Sequence, residues 1–286
     1  MYKINITAIL LLAAFSFSQC KQPANSKEST TLQIKRTKPA HIGFHFEKAK
    51  EWIKKDSVDP QQNIVLAVNR TDKIHLAKMD SIIVPNDLTG DLAFYLPFPL
   101  SVPYLKDISK IIFFSYPTQS FGAYERGELV YTGPVNMGRK ADPTPTGLYY
   151  TNWKAEQTTS TFNDEWDLRW NFNIENKLGI GFHQYELPGY PASHSCLRLQ
   201  EKDARYLYDW ADQWILEKQD SIRAKGTPVI VFGAYPFGET KPWFQLTTDP
   251  HILDISTSGI EQQTAPFLTD IMTQQQRRAT AAIGKE

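Results

Sequence analysis

The densest group of chemically capable side chains in the sequence lies between His183 and Arg198. This stretch holds one cysteine, two histidines, two serines and an arginine. A thiolate is a far better nucleophile than a thiol, and a neighbouring imidazolium lowers the pKa of a cysteine from near 8.5 to roughly 3.5–7.5. A histidine beside Cys196 therefore predicts a thiolate–imidazolium pair, and with it a cysteine nucleophile assisted by histidine.

Either of two histidines can assist Cys196. His194 lies two residues before the cysteine, so both side chains lie on the same face of an extended chain. His183 lies thirteen residues upstream, at the end of a predicted strand, and a returning loop would bring it alongside. The spacing alone leaves two other interpretations open. One is a small buried cysteine among packed histidines, and the other is a zinc site formed by these three side chains.

The segment Ser193–Arg198 (SHSCLR), with the upstream histidine on a strand, resembles the signature of the L,D-transpeptidase (YkuD-type) catalytic domain. In that family the signature reads Ser/Thr-His-Gly-Cys, then a hydrophobic residue, then Arg or Asn. The hairpin 110–135 and the segments 142–149, 187–192 and 226–229 also follow the order of the family. The resemblance covers about residues 107–233.

The resemblance implies roles for individual residues. Cys196 corresponds to the nucleophile, and His183 corresponds to the histidine that activates the thiol, with the backbone carbonyl of Gln184 as its orienting group. His194 corresponds to the motif histidine that shapes the site and its polarity. Backbone N–H groups around Ser195 and Cys196 would form an oxyanion hole, which stabilises the transition state. The implied oxyanion and substrate-binding residues are Gln184, Tyr190, Ser193, Ser195 and Arg198.

One position departs from the family signature, because the motif glycine is Ser195 here. Glycine adopts positive φ without a steric penalty and leaves room beside a nucleophile. If the position requires positive φ, serine costs about 1–2 kcal/mol and displaces an oxyanion donor. Three outcomes are open for Ser195: it is tolerated, it narrows the range of substrates, or it marks an inactive protein.

The function implied by the resemblance is that of a peptidoglycan enzyme. Cys196 would attack the third-position carbonyl of a tetrapeptide stem, release D-alanine and pass the acyl group from a thioester to an amine. No metal or organic cofactor is implied, since a thiol and an imidazole suffice. Two alternatives remain: an L,D-carboxypeptidase that uses water as the acceptor, and an inactive peptidoglycan-binding lipoprotein.

The elements that must position these residues are mostly strands. Apolar runs bounded by turn residues predict eight of them: Asn63–Val68, Ser81–Val84, Lys110–Tyr116, Ser120–Tyr124, Leu129–Val135, Leu148–Trp153, Gly179–His183 and Val229–Phe232. The clearest helix is predicted over Glu201–Lys218, where apolar residues at helical spacing form one face. A short amphipathic helix is predicted over His41–Lys55. On it His41 and His45 would form an i, i+4 pair, interpreted as structural, with a metal site as the alternative.

We therefore expect a mainly β fold with short helices, in which a β-sandwich-like catalytic domain follows a smaller N-terminal α/β segment. The expected organisation is a signal peptide at 1–19, a lipid-anchored flexible tether at 20–40, an N-terminal segment at 41–104, the catalytic domain at 105–236 and a C-terminal extension at 237–286, partly disordered or helical.

The N-terminus predicts export. Lys3 precedes the apolar run Ala8–Phe17, which is too short to span a membrane as a helix. Cys20 follows at the end of this signal and resembles the lipid-attachment cysteine of bacterial lipoproteins, although the residues before it lack the usual aliphatic and small side chains. The alternative is ordinary cleavage nearby, which leaves a loose thiol. We expect an exported protein of the periplasm or cell envelope, anchored to the membrane through Cys20.

Composition narrows the class of protein. The 31 basic and 31 acidic side chains give no net charge, which argues against a nucleic-acid-binding protein. The hydrophobic content of 41% is enough for a sizeable core. The two cysteines allow one disulfide at most, and a lipidated Cys20 with a reactive Cys196 would form none. We expect a monomer whose partner is the peptidoglycan stem peptide.

Overall fold

The computed structural model describes residues 34–55, 59–159, 167–218 and 221–283. The expected signal peptide and Cys20 lie outside these residues, as does most of the expected tether. The last residues of that tether are hydrogen-bonded to the body of the protein: the Thr37 N–H donates to the Asp91 carboxylate at 2.6 Å, and the Ala40 N–H donates to Asp87 at 2.7 Å. Within the described residues, no helix has the length and apolar character needed to cross a membrane.

The N-terminal segment is a small α/β unit. Its two strands pair antiparallel and frame three short helices. The elements in chain order are β1 (Phe44–Lys48), α1 (Ala49–Ile53), α2 (Asp59–Val68), α3 (Lys73–Leu76) and β2 (Ser81–Pro85).

Two predictions for this segment are wrong. Residues Asn63–Val68, predicted as a strand, form the second half of α2, because a short continuous apolar run does not distinguish a buried helix from a buried strand. The helix predicted over His41–Lys55 is a strand in its first half, since pairing with β2 overrides the local pattern. His45 therefore lies on a strand, where its Nδ1 lies 2.7 Å from Asn86 Oδ1. His41 and His45 do not share a helix face.

Two sheets form the mainly β body, as predicted. The first has five strands and the second has four. The strands are β3 (Lys110–Ser115), β4 (Ser120–Glu125), β5 (Glu128–Pro134), β6 (Gly147–Tyr150), β7 (Lys154–Thr159), β8 (Asp167–Glu175), β9 (Ile180–Gln184), β10 (Leu197–Leu199), β11 (Ile215–Lys218), β12 (Ser221–Ala224) and β13 (Pro228–Phe232). The order in the first sheet is β5-β4-β3-β13-β6, the order in the second is β10-β9-β8-β7, and β11 and β12 form a separate hairpin.

One apolar core joins the two sheets. Phe114 and Phe121 of the first sheet pack with Phe172 and Phe182 of the second, and all four rings are fully buried. Each such ring removes a large apolar area from water, so this layer fixes the second sheet against the first. The site elements β9 and β10 therefore rest on a rigid support.

Helices cover the remaining faces. The helix α4 (Glu201–Trp210) buries Ala204 and Leu207 in the same core, but it ends earlier than predicted. Ala211 is buried in extended conformation, and residues 215–218 belong to the β11–β12 hairpin. The C-terminal extension forms α5 (Thr257–Thr264) and α6 (Leu268–Ile283), which bury Ile260 and Ile271 in a second core behind the five-stranded sheet.

Candidate active site

The pairing of β9 with β10 positions Cys196. The two strands are parallel, with Leu197 opposite Phe182 and Arg198 opposite His183. Leu197 and Phe182 point into the core. Because successive side chains of a strand alternate between faces, Arg198 and His183 point to the other face, and Cys196, directly before β10, lies on that side as well. The register thus brings the thiol and the imidazole to one face of the sheet.

His183 is held in a single tautomer. Its ring is buried, with 3% of the residue exposed, and Nδ1 lies 3.0 Å from the carbonyl oxygen of Gln184. A carbonyl can only accept, so Nδ1 carries the proton and Nε2 has its lone pair available. The pKa of His183 is lowered to about 4, mainly by burial; the hydrogen bond to Gln184 acts in the opposite direction, and the positive charge of Arg198 contributes to the lowering. The imidazole is a neutral base near pH 7.

The thiol is also neutral at that pH. Cys196 is a free, partly exposed cysteine whose Sγ lies 3.7 Å from the Gly179 carbonyl oxygen. Burial raises the pKa of the Cys196 thiol, while a backbone hydrogen bond from Gly181 and the charge of Arg198 act in the opposite direction. Both shifts favour uncharged partners. The thiolate–imidazolium pair predicted from the sequence is therefore not the resting form, since burial penalises both charges.

Ser195 occupies the left-handed region of the backbone, with φ of 80°. This is the conformation that makes glycine favourable at the position, and a serine there is strained. Its hydroxyl lies 3.3 Å from the carbonyl oxygen of Asp142 and 3.2 Å from that of Pro143, and donates to them. The side chain of Ser195 thus has its hydrogen-bond acceptors on the neighbouring loop.

Thr144 holds the peptide bond between Ser195 and Cys196. Its hydroxyl donates to the Ser195 carbonyl oxygen at 2.9 Å and accepts from the Gly138 N–H at 2.9 Å. In a planar trans peptide the C=O and the N–H point in opposite directions, so this contact also fixes the direction of the Cys196 N–H. Sequence reasoning did not identify Thr144. The signal was its place in the stiff run Asp142–Gly147, which lies far from the cysteine in sequence.

The segment after β5 is hydrogen-bonded to the residues that precede Cys196. The Met137 carbonyl accepts from the N–H groups of Ala192 and Ser193, both at 3.1 Å, and the Arg139 N–H donates to Ser193 O at 2.9 Å. The Ser193 hydroxyl donates to the Cys196 carbonyl at 2.6 Å. Ser193 therefore acts within the loop, and its side chain does not face solvent.

The other predicted residues surround this centre. The Arg198 guanidinium lies 4.5 Å from the centre of the Tyr185 ring and is almost fully buried. The pKa of His194 is lowered first by burial and then by the positive charge of Arg139. Tyr190 exposes 53% of its surface, and its backbone carbonyl accepts a hydrogen bond from the Asn136 side chain. The side chain of Tyr190 is thus accessible from solvent.

Residues 109–231 match the YkuD family, described as the L,D-transpeptidase catalytic domain. The described part of this range contains the buried histidine on β9, the free cysteine before β10 and the loop that holds its backbone. This part of the chain is a YkuD-type L,D-transpeptidase catalytic domain.

Solved structures similar to the chain include three L,D-transpeptidases. One is from Stackebrandtia nassauensis, with 23% identity and a TM-score of 0.37, covering 45% of this chain and 57% of that one. Another is from Mycobacterium tuberculosis H37Rv, with 22% identity and a TM-score of 0.35, covering 44% and 58%. A third was solved in complex with imipenem, with 18% identity and a TM-score of 0.35, covering 43% and 59%. The chain thus spans under two thirds of each, and no curated protein matches it.

The YkuD domain brings together a thiol, an imidazole and an ordered backbone. It does not bring His183, His194 and Cys196 together as metal ligands. In the described ranges, no group of three or more His, Cys, Asp or Glu side chains is arranged to hold a metal ion. What the arrangement can do is deprotonate a thiol during attack and stabilise an oxyanion at the Cys196 N–H.

Proposed function

We propose that the protein is a peptidoglycan L,D-transpeptidase that works through an acyl-enzyme on Cys196. The Sγ attacks the third-position carbonyl of a tetrapeptide stem, and the thiol proton passes to Nε2 of His183. The C–N bond to D-alanine then breaks, and the leaving amine takes that proton. An amine of a second stem attacks the thioester, gives a proton through His183 back to the thiol, and so forms the cross-link.

The observation that carries this proposal is the hydrogen bond between His183 Nδ1 and Gln184 O, on the strand that pairs with the nucleophile's strand. It leaves Nε2 as a neutral base on the face where Cys196 lies. A neutral base and a neutral thiol suit a mechanism in which the proton moves during attack. The role assigned to His183 by resemblance is supported by this arrangement.

Oxyanion stabilisation is proposed for the backbone N–H of Cys196. Preorganised donors act strongly because they need no reorientation when charge develops. The direction of this N–H is held through Thr144, and the positive φ of Ser195 keeps the turn that a glycine would allow. We propose that Ser195 is therefore tolerated, and that Arg198, Tyr190 and His194 bind the stem or shape its cleft.

The decisive experiment is intact-protein mass after a tetrapeptide stem or imipenem is added. Imipenem has a strained lactam carbonyl, and a thiol that opens the ring keeps the whole molecule as an adduct. We expect one adduct on the wild-type protein, located at Cys196 by peptide mapping, and none on Cys196→Ala. A wild-type protein that binds stem peptides without any adduct would instead favour the inactive binding protein.

Product analysis then separates transfer from hydrolysis at the same site. With tetrapeptide muropeptides, we expect cross-linked dimers that depend on Cys196 and His183. Tripeptides alone would identify an L,D-carboxypeptidase. The Cys196→Ala variant is the matched control, because it removes one sulfur atom from a position whose backbone is held by the Ser193 hydroxyl.

Export and lipid attachment at Cys20 belong to the same proposal, since a stem-peptide substrate lies outside the cytoplasm. We expect the mature protein to begin at Cys20 and to carry acyl chains that hold it at the membrane. Labelling of cells with a fatty-acid analogue, compared between the wild type and Cys20→Ala, tests this. Unlabelled wild-type protein released from the membrane would contradict it.

A further inference from the structure

The turn between α2 and α3 is hydrogen-bonded to the loop that leads from His183 to Cys196. The Asp72 N–H donates to the Leu187 carbonyl oxygen at 3.1 Å, and the Leu187 N–H donates back to Asp72 Oδ2 at 2.8 Å. The Thr71 hydroxyl donates to the same carbonyl at 2.9 Å. Three hydrogen bonds therefore converge on one buried residue of the loop. The turn lies outside the YkuD domain, which begins at residue 109.

The same turn also contacts the residue that follows β10, the second strand of the site. Gln200, which follows β10, donates from Nε2 to the Thr71 carbonyl oxygen at 3.1 Å. Two residues after Leu187, Gly189 lies beside the N-terminal segment: its φ of 78° favours glycine, and a Cβ there would lie 2.5 Å from Met79 Cε and 3.3 Å from the Asn69 carbonyl oxygen. The N-terminal segment thus contacts the loop at Leu187 and again at Gly189.

Tyr185 connects the clasped loop to the reacting groups. Its ring packs edge-on against the His183 ring, with centroids 5.9 Å apart. The same ring carries the Arg198 guanidinium at 4.5 Å. Because Tyr185 is two residues from Leu187, a shift of the loop at Leu187 moves the ring on which both side chains pack.

Both oxygens of the Asp72 carboxylate accept a hydrogen bond from a backbone N–H. Oδ1 accepts from the His75 N–H at 2.8 Å and so caps α3, while Oδ2 accepts from Leu187. An asparagine offers one acceptor oxygen and cannot serve both N–H groups. The His75 ring also lies 2.8 Å from Oδ2 and 3.8 Å from Glu186 of the loop, which adds a second link between the two segments.

We propose that Asp72 is a positioning residue for the proposed acyl transfer, acting through Leu187 and Tyr185 on His183 and Arg198. This rests on the function proposed above. It makes the N-terminal segment part of the catalytic unit, because the loop between base and nucleophile takes its conformation from outside the YkuD domain.

The test compares Asp72→Asn with Asp87→Asn in the full-length protein. Asp87 is a partly exposed aspartate of the same segment, and its carboxylate also accepts from backbone N–H groups, at Thr89 and Ala40. It has no hydrogen bond to the loop. In saturation kinetics of Cys196 acylation by imipenem, we expect the maximal rate constant of Asp72→Asn to fall about tenfold with the half-saturating concentration within twofold. Asp87→Asn stays within twofold in both.

A purely structural role for Asp72 lowers thermal stability without changing the maximal rate constant of the folded protein, and that result would overturn the proposal. If Asp72→Asn does not fold, Thr71→Val removes one of the three bonds at nearly constant shape, and a rate about threefold below wild type is expected. A wild-type rate in Thr71→Val would then overturn it.

Failure of the proposed function has a different signature. If the wild-type protein forms no adduct with imipenem or a tetrapeptide, acyl transfer is wrong. The positioning role of Asp72 is then tested by alkylation of Cys196 with iodoacetamide. We expect at least a threefold difference in rate between Asp72→Asn and the wild type at one pH. Equal rates would overturn the positioning role.

Discussion

The hydroxyl of Thr144 donates a 2.9 Å hydrogen bond to the carbonyl oxygen of Ser195, the residue before the proposed nucleophile. Thr144 is buried and receives a second hydrogen bond from the Gly138 N–H, so its rotamer is fixed. The peptide unit that carries the Cys196 N–H is therefore oriented by a side chain from another loop.

Replacement of Thr144 by valine removes the donor at nearly constant volume. We expect the rate of Cys196 acylation to fall about tenfold, less than the roughly 100-fold or more seen when an oxyanion donor itself is lost. Thr144→Ser should restore most of the rate. Thr146→Val is the matched control, since Thr146 lies exposed in the same loop. Acylation followed by intact mass is the measurement, and an unchanged rate in Thr144→Val would contradict the assigned role.

Ser195→Gly should keep activity within about threefold. Glycine relieves about 1–2 kcal/mol of strain at φ of 80° but gives up the hydroxyl bonds to Asp142 and Pro143, so the two effects largely cancel. Ser195→Val adds β-branching at positive φ and should lower the free energy of unfolding by about 2 kcal/mol or more. Urea unfolding and acylation rates check both variants. A rise of more than tenfold in Ser195→Gly would show that serine impairs the enzyme.

Acid should destabilise the protein through His183. Its pKa is about 4 in the folded state and 6.5 ordinarily, so the unfolded chain binds more protons between these values. The free energy of unfolding therefore falls as the pH drops from about 6.5 to about 4. His183→Gln, which cannot titrate, should show a flatter dependence over the same range. Urea titrations at several pH values give the difference, and parallel curves for the two proteins would contradict the shift.

Alkylation of Cys196 should show no low-pH plateau. The pKa of the thiol is raised by burial, so the thiolate fraction increases about tenfold per pH unit up to at least pH 9. Rates with iodoacetamide from pH 6 to pH 9.5 provide the measurement, with Cys196→Ala as the blank. A plateau beginning below pH 7 would indicate a preformed ion pair and would restore the first expectation from the sequence.

Gly181→Ala should destabilise the protein by about 2–3 kcal/mol, because a Cβ there would lie 2.7 Å from the Phe172 carbonyl oxygen in the neighbouring strand β8. The same change displaces the Gly181 backbone that hydrogen-bonds Cys196. Gly259→Ala is the control, since its new Cβ would lie 3.2 Å from the hydroxyl of Ser256, the N-cap of α5, and clear of any backbone carbonyl. Thermal unfolding compares the two variants, and equal melting temperatures would contradict the close approach.

The sequence predicted those parts of the fold in which local pattern and tertiary role agree. The strands β3, β4 and β13 are buried on both faces and appear as continuous apolar runs. Interpreting a continuous apolar run as a strand was wrong at Asn63–Val68, because a buried helix has the same composition. β8 was missed although Leu168, Trp170, Phe172 and Ile174 alternate with polar residues, which is the signature of a strand.

For the site, the sequence predicted residues close to the cysteine and missed those that support it from a distance. Cys196 and His183 carry reactive groups, which single them out by type. Thr144 and Asp72 are ordinary polar residues whose importance comes from a carbonyl and an N–H that the chain brings back to them. Spacing cannot reveal such contacts, because they depend on the completed tertiary structure. The protonation states predicted for Cys196 and His183 were wrong for the same reason, since the pKa values of both groups depend on burial.

The place of β13 between β3 and β6 in the five-stranded sheet has a consequence for the order in which the sheet is completed. Val229 pairs with Ile112 on one side and with Tyr149 on the other, so β6 joins the sheet only through a strand that is translated after Cys196. A chain synthesised only as far as the proposed nucleophile still lacks the interior strand that connects β6 to the rest of the sheet. The support beneath Cys196 is therefore complete only when β13, which follows it in the chain, has joined the sheet.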